Sequence, residues 1–354
     1  MEVIETVSKF QIKERIVGFT PLGNGHINNT FLIKTKADKW YVLQKINDTV
    51  FKDVDKLMKN IYHTTSFLKS KGYETLEVIK TKNNKLYYED ESGCYRLYLY
   101  IENAICYEGV NDLDMVYNTA KAFGLLHKSL CEFDASTLYE IIPDFHNTVK
   151  RYQTLLEAVK EDKFDRVKDC EEELEFFRKH ENDYSIIVNA IKKKEIKLAV
   201  THNDPKINNV LFDNVTGDIR AVIDLDTVMP GSYLYDYGDA LRSLFTGEYE
   251  DSLDLSKIGI DYPVFEMYTK GYLSEMKGVL SQKEVECLSF SVFLLAAELA
   301  MRFLTDYLNG DVYFKTVYPA HNLIRARTQV KLAKDVYEHL TELDQIVDKS
   351  YKVS

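Results

Sequence analysis

The chain has 354 residues, 45% hydrophobic and 29% charged, with only 15 Gly and 6 Pro. That excludes a disordered, collagen-like or turn-dense all-β chain and leaves room for two domains. A formal net charge of −11 repels phosphate backbones and anionic headgroups, so neither nucleic acid nor a membrane surface is an expected partner, whereas a small anionic substrate can still be met by a few local cations and a metal ion. Five scattered cysteines, Cys94, Cys106, Cys131, Cys170 and Cys287, form no CxxC and have no His at zinc spacing, and Met1-Glu2-Val3-Ile4-Glu5 lacks a basic region ahead of an apolar run. A reduced, cytoplasmic protein without a leader is the expectation.

From the N-terminus, Phe10 to Phe19 reads as a strand, Leu22-Gly23-Asn24-Gly25-His26 as a glycine loop, and Asn29 to Lys34 and Trp40 to Ile46 as two further strands rich in β-branched and aromatic residues. Asp53 is a candidate N-cap for a helix carrying Val54, Leu57, Met58, Ile61, Thr65 and Leu68 on one face, which Lys71-Gly72 ends. Lys85 to Tyr88 and Tyr95 to Ile101 predict two more strands around Asp90-Glu91-Ser92-Gly93. Together these predict a first domain over residues 1–103: a small antiparallel β-sheet with one helix. From Asp112 the texture turns helical, with Val116, Ala120, Phe123, Leu126 and Leu130 sharing a face and long helical periodicity through the charged stretch Lys150 to Lys197. The predicted second domain, 104–354, is mainly α, interrupted by short strands at Leu198-Ala199-Val200 and Ala221-Val222-Ile223. Cys287 to Leu304 is apolar but crossed by Glu298 and Arg302 at i, i+4, which predicts a core helix with an internal ion pair in place of a membrane span. His127 reads as a satisfied core histidine.

The chemistry concentrates in Thr201-His202-Asn203-Asp204-Pro205-Lys206-Ile207-Asn208-Asn209 and in Ile223-Asp224-Leu225-Asp226. Phosphoryl transfer needs a carboxylate to orient a hydroxyl and take its proton, and oxygen ligands that hold a divalent metal against nucleotide phosphates. In this spacing Asp204 is the candidate base, Asn209 and Asp224 are the candidate Mg²⁺ ligands, and His202 is a supporting residue whose ring braces the loop. Singly, His202 and Asp204 read as turn residues and Gly23-Asn24-Gly25 as a hairpin turn; their joint occurrence carries the signal.

These motifs resemble the aminoglycoside phosphotransferase and choline kinase superfamily, with its H-x-D-x-x-x-x-N and I-D-x-[DE] elements. More narrowly, Leu22 to Asn28, Tyr41 to Asn47, Ile223 to Gly231, Tyr235 to Arg242 and Arg302 to Leu308 are similar to the N-acetylhexosamine 1-kinases. The resemblance implies an α+β, bilobal protein-kinase-like fold and direct in-line transfer from ATP, with Mg²⁺, to the anomeric hydroxyl of N-acetylglucosamine or N-acetylgalactosamine. It implies that Gly23, Asn24 and Gly25 lie over the phosphates, that Ile101 and Asn103 flank the adenine, and that a third-strand cation meets the phosphates; Lys45 is the candidate, with Gln44 the alternative if the register slips by one. Sugar contacts fall on His26, Asp204, Asp224, Arg302 and Tyr313, and Asp226 is an outer-shell metal group. The competing readings are another small-molecule kinase of the superfamily, acting on a different sugar, homoserine, choline or an aminoglycoside, and a nucleotide-binding pseudokinase.

Overall fold

The computed structural model describes residues 2–23 and 28–353, so Asn24, Gly25 and His26 lie outside the described residues. It is a mixed α+β chain, with an antiparallel sheet in its N-terminal region and a larger helical C-terminal region. Helices and strands are numbered in chain order.

The first compact unit comprises 1–108 together with 132–143 and 208–229. Helix α1 (Glu2–Val7) precedes strands β1 (Ile16–Pro21), β2 (Asn29–Thr35) and β3 (Trp40–Ile46), helix α2 (Val54–Ser70), and strands β4 (Glu77–Ile79), β5 (Tyr88–Asp90) and β6 (Gly93–Leu99). The strands run in the order β1-β2-β3-β6-β4, with β5 also paired to β6, all antiparallel. The expected strand from Phe10 is corrected: residues 2–7 are helical and β1 starts at Ile16. Val7 and Phe10 are buried with Ile33, Tyr41, Leu43, Tyr95 and Leu97, so apolar burial on one face of the sheet outweighs local strand propensity there. Asp53 caps α2 by accepting the Lys56 N–H at 3.1 Å. A second sheet of β7 (Ala104–Ile105), β9 (Val210–Asp213) and β10 (Ile219–Val222) draws 208–229 into this unit, through pairs such as Ala104 with Asp213. Asn60 on α2 ties in both outlying segments, donating to Tyr139 O (2.8 Å) and Val228 O (2.9 Å).

The second unit comprises 109–131, 144–207 and 230–354. It holds α3 (Leu113–Leu130), α4 (Thr148–Glu161), α5 (Glu171–Lys179), α6 (Ile186–Lys192), strand β8 (Ala199–Thr201), α7 (Tyr233–Thr246), α8 (Tyr262–Met276), α9 (Gln282–Glu286), α10 (Leu288–Leu308), α11 (His321–Glu338) and α12 (Leu340–Val353). The charged stretch 150–197 is therefore several short helices; Asp162, at φ 37°, stops α4 in a left-handed turn. Helix α10 is long and apolar enough to cross a membrane, yet most of it is buried against α4, α7 and α11. Two close approaches require glycine. A Cβ on Gly238 would stand 2.4 Å from Ser291 O, and one on Gly271 2.3 Å from Tyr117 O, so α7 meets α10 and α8 meets α3 nearly backbone to backbone.

Candidate active site

In the second unit the loop after β8 is built around one carboxylate that the sequence reading passed over. Asp236, buried in the first turn of α7, accepts the backbone N–H groups of His202 and Asn203, each at 2.7 Å, and faces His127 Nε2 at 2.8 Å. The other imidazole nitrogen of His127 meets Tyr272 OH at 2.9 Å. Burial opposes ionisation of Asp236, but the bonds and charge from His127 and His202 hold its carboxyl below the usual aspartate range. Asn203 takes a left-handed φ of 65° and turns the chain so that Asp204 N donates to His202 Nδ1 at 3.2 Å. The His202 ring, itself buried, packs edge-on against Phe123 at 5.4 Å. Asp204 is thus carried on a braced turn with its side chain about one third exposed, and Lys206 Nζ lies 2.6 Å from its Oδ1. Burial works against the Lys206 ammonium, but the charge of Asp204 outweighs it and raises the lysine above its usual value. The Asp-x-Lys spacing was the available signal for Lys206, and a helical Asp within a Tyr-rich, Gly-containing turn was the signal for Asp236.

In the first unit, Ile223 N donates to Asn209 O at 2.8 Å, which brings Asn209 and the residue preceding Asp224 together across β9 and β10. Asp224 takes φ 58° and is exposed, while Asn209 is buried. An amide oxygen and one carboxylate are hard donors, few in number, and suit Mg²⁺, which keeps waters and substrate phosphates as its other ligands. No group of three or more His, Cys, Asp or Glu able to hold a metal occurs among the described residues, so a closed protein cage is not what this arrangement offers. Asp226, expected as an outer-shell metal group, is buried in a different network. Arg96 on β6 engages both its oxygens, Nη1 to Oδ1 and Nη2 to Oδ2 at 2.9 Å, and Asn28 Nδ2 donates to Oδ2 at 2.7 Å. Arg96 Nε donates to Gln44 Oε1 at 2.9 Å, and Gln44 in turn donates to Thr30 Oγ1 at 3.1 Å. Burial disfavours the guanidinium charge, but Asp226 more than compensates, and the field of Asp224 adds to it.

The register separates the two third-strand candidates, Lys45 and Gln44. Gln44 pairs opposite Arg96 and Lys45 opposite Tyr95, so the pleat turns Lys45 to the other face of the sheet, where its ammonium lies 5.9 Å from the Tyr95 ring. The buried cation beside Asp226 comes from β6, not β3. Gly23 has the φ of +70° that a tight turn asks of glycine. Asn103, at φ 56°, accepts the Asn214 N–H at 3.0 Å and so anchors the segment that Ile101 leads into.

The remaining candidates lie in the second unit, and here the expected Glu298–Arg302 pair is corrected. Glu298 is buried and its carboxylate meets His146 Nδ1 at 3.1 Å instead. The Arg302 guanidinium rests over the Phe145 and Phe314 rings, 5.3 and 5.6 Å from their centroids, with no hydrogen bond or ion pair to the described residues. Aromatic faces satisfy a guanidinium that the carboxylate one turn away does not reach. Tyr313 is exposed, and its loop is fixed by Asp306, which accepts the backbone N–H groups of Val312, Tyr313 and Phe314 at 2.8 to 2.9 Å. Arg151 donates to Phe145 O, and burial together with the charge of Arg302 lowers its own affinity for a proton. Two guanidiniums thus face one region.

The model of the APH phosphotransferase enzyme family matches residues 18–261. Among solved structures, the chain is similar to an aminoglycoside phosphotransferase from Alicyclobacillus acidocaldarius, with TM-score 0.62 and 13% identity over 98% of this chain and 96% of that one. A microcompartment-associated aminopropanol kinase gives TM-score 0.62 and 13% identity over 97% of this chain and 98% of that one. An amicoumacin kinase in complex with AMP-PNP, Ca²⁺ and Ami gives TM-score 0.58 and 13% identity over 93% of this chain and 92% of that one. At these identities the likeness is one of fold.

Proposed function

The chain belongs to the phosphotransferase enzyme family, and from that premise we propose that it phosphorylates the anomeric hydroxyl of an N-acetylhexosamine, N-acetylglucosamine or N-acetylgalactosamine, with ATP as donor. In this reading the anomeric oxygen attacks the γ-phosphorus, the bond from phosphorus to the β,γ-bridging oxygen breaks, and the hydroxyl proton passes to an Asp204 oxygen; the products are the sugar 1-phosphate and ADP. Asp236 and His202 hold the Asp204 turn in place, so little reorganisation accompanies the reaction. Asn209 and Asp224 would hold Mg²⁺, which neutralises charge on the nucleotide phosphates. Gly23 leaves its backbone open to phosphate approach, Arg96 supplies positive charge where Lys45 does not, and the backbone from Ile101 to Asn103 meets the adenine.

The observation that carries the acceptor class is Arg302, a guanidinium fixed by two aromatic rings with no carboxylate partner among the described residues. A polyhydroxylated, acetamido-bearing sugar presents hydrogen-bond acceptors to it, whereas a cationic acceptor meets like charge. The amino-bearing compounds named for the structural neighbours, aminopropanol and aminoglycosides, form the competing arm. The test is ADP release with Mg·ATP against N-acetylhexosamines, plain hexoses, choline, homoserine, aminopropanol and an aminoglycoside, with phosphorus NMR locating the new ester. An anomeric phosphate on an N-acetylhexosamine supports the proposal; transfer to an amino alcohol alone replaces it, and nucleotide binding without any transfer points to a pseudokinase.

A further inference from the structure

The connector between α4 and α5 has no use in the account above, yet two of its side chains reach the loop that carries Tyr313. Asp162 Oδ1 accepts the backbone N–H groups of Arg166 and Val167 at 2.8 and 3.1 Å, and left-handed turns at Asp162 and Asp165 fold the connector back on itself. Arg166 Nη1 then donates to Tyr307 O in the last turn of α10 and to Asp311 Oδ2 in the loop, each at 2.6 Å, while the guanidinium lies 4.6 Å from the Tyr307 ring. The Phe164 ring covers Gly310, where a Cβ would stand 2.7 Å from it. Asp311 is also held from α11, since Asn322 Nδ2 donates to Asp311 Oδ1 and to Asp306 Oδ2, both at 2.9 Å. A basic side chain that only capped the helix would bond its last carbonyls; this nitrogen joins the helix end to the loop beyond it.

Past Asp311 the loop presents two rings. Tyr313 is exposed, and Phe314, 4.8 Å from it, lies 5.6 Å from the Arg302 guanidinium. A guanidinium held by ring faces stands where those rings stand. We propose that Arg166 is a positioning residue for acceptor binding: by tying Asp311 to the end of α10 it sets the places of Tyr313 and Phe314, and through Phe314 that of Arg302, without touching the substrate. The proposal rests on the reading in which Arg302 and Tyr313 face the acceptor, and it gives a part in that site to the charged stretch 150–197, where none of the motifs quoted above falls. A loop free to shift loses contacts that it makes alike in the ground state and the transition state, so the effect belongs to the KM of the acceptor and not to kcat.

The test uses the full chain with Mg·ATP and N-acetylglucosamine or, where the wild type prefers it, N-acetylgalactosamine. Arg166→Met keeps the aliphatic packing and removes both bonds. It should raise the KM for the sugar about tenfold and leave kcat and the KM for ATP unchanged. Arg166→Lys should recover most of the loss, because one nitrogen makes both bonds. Tyr313→Ala should raise the same KM, and adding Arg166→Met to it should raise it by less than the product of the two single effects, since the loop then has less to position. Asp311→Asn weakens the same link from the loop side and should show the same split between the sugar and ATP, so misfolding of Arg166→Met does not protect the proposal. Effects that multiply fully with Tyr313→Ala, or a kcat and two KM values that move together, make Arg166 structural and overturn it. If wild type phosphorylates the sugar and the variants match it in every constant, only this inference falls. If wild type phosphorylates no N-acetylhexosamine, the functional reading falls and this one with it.

Discussion

Asp226 and Asp236 stand ten residues apart, both buried, one in each compact unit, and they are satisfied by opposite means. Asp226 is held by a charge: the Arg96 guanidinium grips both its oxygens and Asn28 completes the shell. Asp236 is held chiefly by the loop after β8, through the backbone N–H groups of His202 and Asn203, and by His127. The first arrangement locks strand β6 to the turn that carries Asp224. The second fixes the backbone that presents Asp204. A buried ion pair is costly to break and contributes little net stability, whereas a carboxylate capping peptide N–H groups stabilises the loop it organises.

The largest effect should separate chemistry from support. Asp204→Asn leaves the Asp236 network untouched, so kcat should fall by about 10²–10⁴ while nucleotide affinity, followed by calorimetry with AMP-PNP, stays level. Retained turnover would remove Asp204 as the base. Next, Arg96→Met strands a buried carboxylate and should cost about 3–5 kcal/mol in urea unfolding, most of it recovered when Asp226→Leu is added. If the double variant is as unstable as the single one, the pair is not the unit of stability described here. Asp236→Asn should cost less, about 1–3 kcal/mol at neutral pH, because an amide oxygen can still accept from the loop. It carries a pH signature as well. The folded-state pKa of Asp236 lies below its unfolded value of about 4, so its contribution is complete above that value and is lost as pH falls through the folded one. Wild type should therefore lose more stability than Asp236→Asn on acidification below about pH 4, and parallel acid limbs would contradict this. The smallest effect belongs to Lys45→Ala, within about 0.5 kcal/mol and with the KM for ATP unchanged, since Lys45 lies on the opposite face from Arg96. A raised KM would return Lys45 to the phosphates.

Much of this architecture was legible one element at a time. Strand Trp40–Ile46 and helix Val54–Ser70 with its Asp53 cap fall where period and cap chemistry place them. The short strands Glu77–Ile79 and Ala104–Ile105 were not legible, because so few residues carry no period and owe their pairing to distant partners. The turn bearing Asp204 and the strand ahead of Asp224 could be read because their residues are close in sequence, whereas β9, which follows Asn209 and pairs with that strand, was not predicted. His146, Arg96 and Asp236 could not be assigned, since each takes its meaning from a group on another element.

By itself, then, the sequence determined the alternation that makes the sheet, the periodicity that makes the helices, and the spacing of Asp204, Asn209 and Asp224, all properties of a few consecutive residues. Tertiary structure alone decided which β3 side chain meets Arg96, that Arg96 pairs with a carboxylate 130 residues away, and that Glu298 chooses His146 over the Arg302 one turn along its own helix. A one-residue change of register inverts a strand face, and a buried charge takes the partner that packing delivers, so neither outcome is encoded in local pattern.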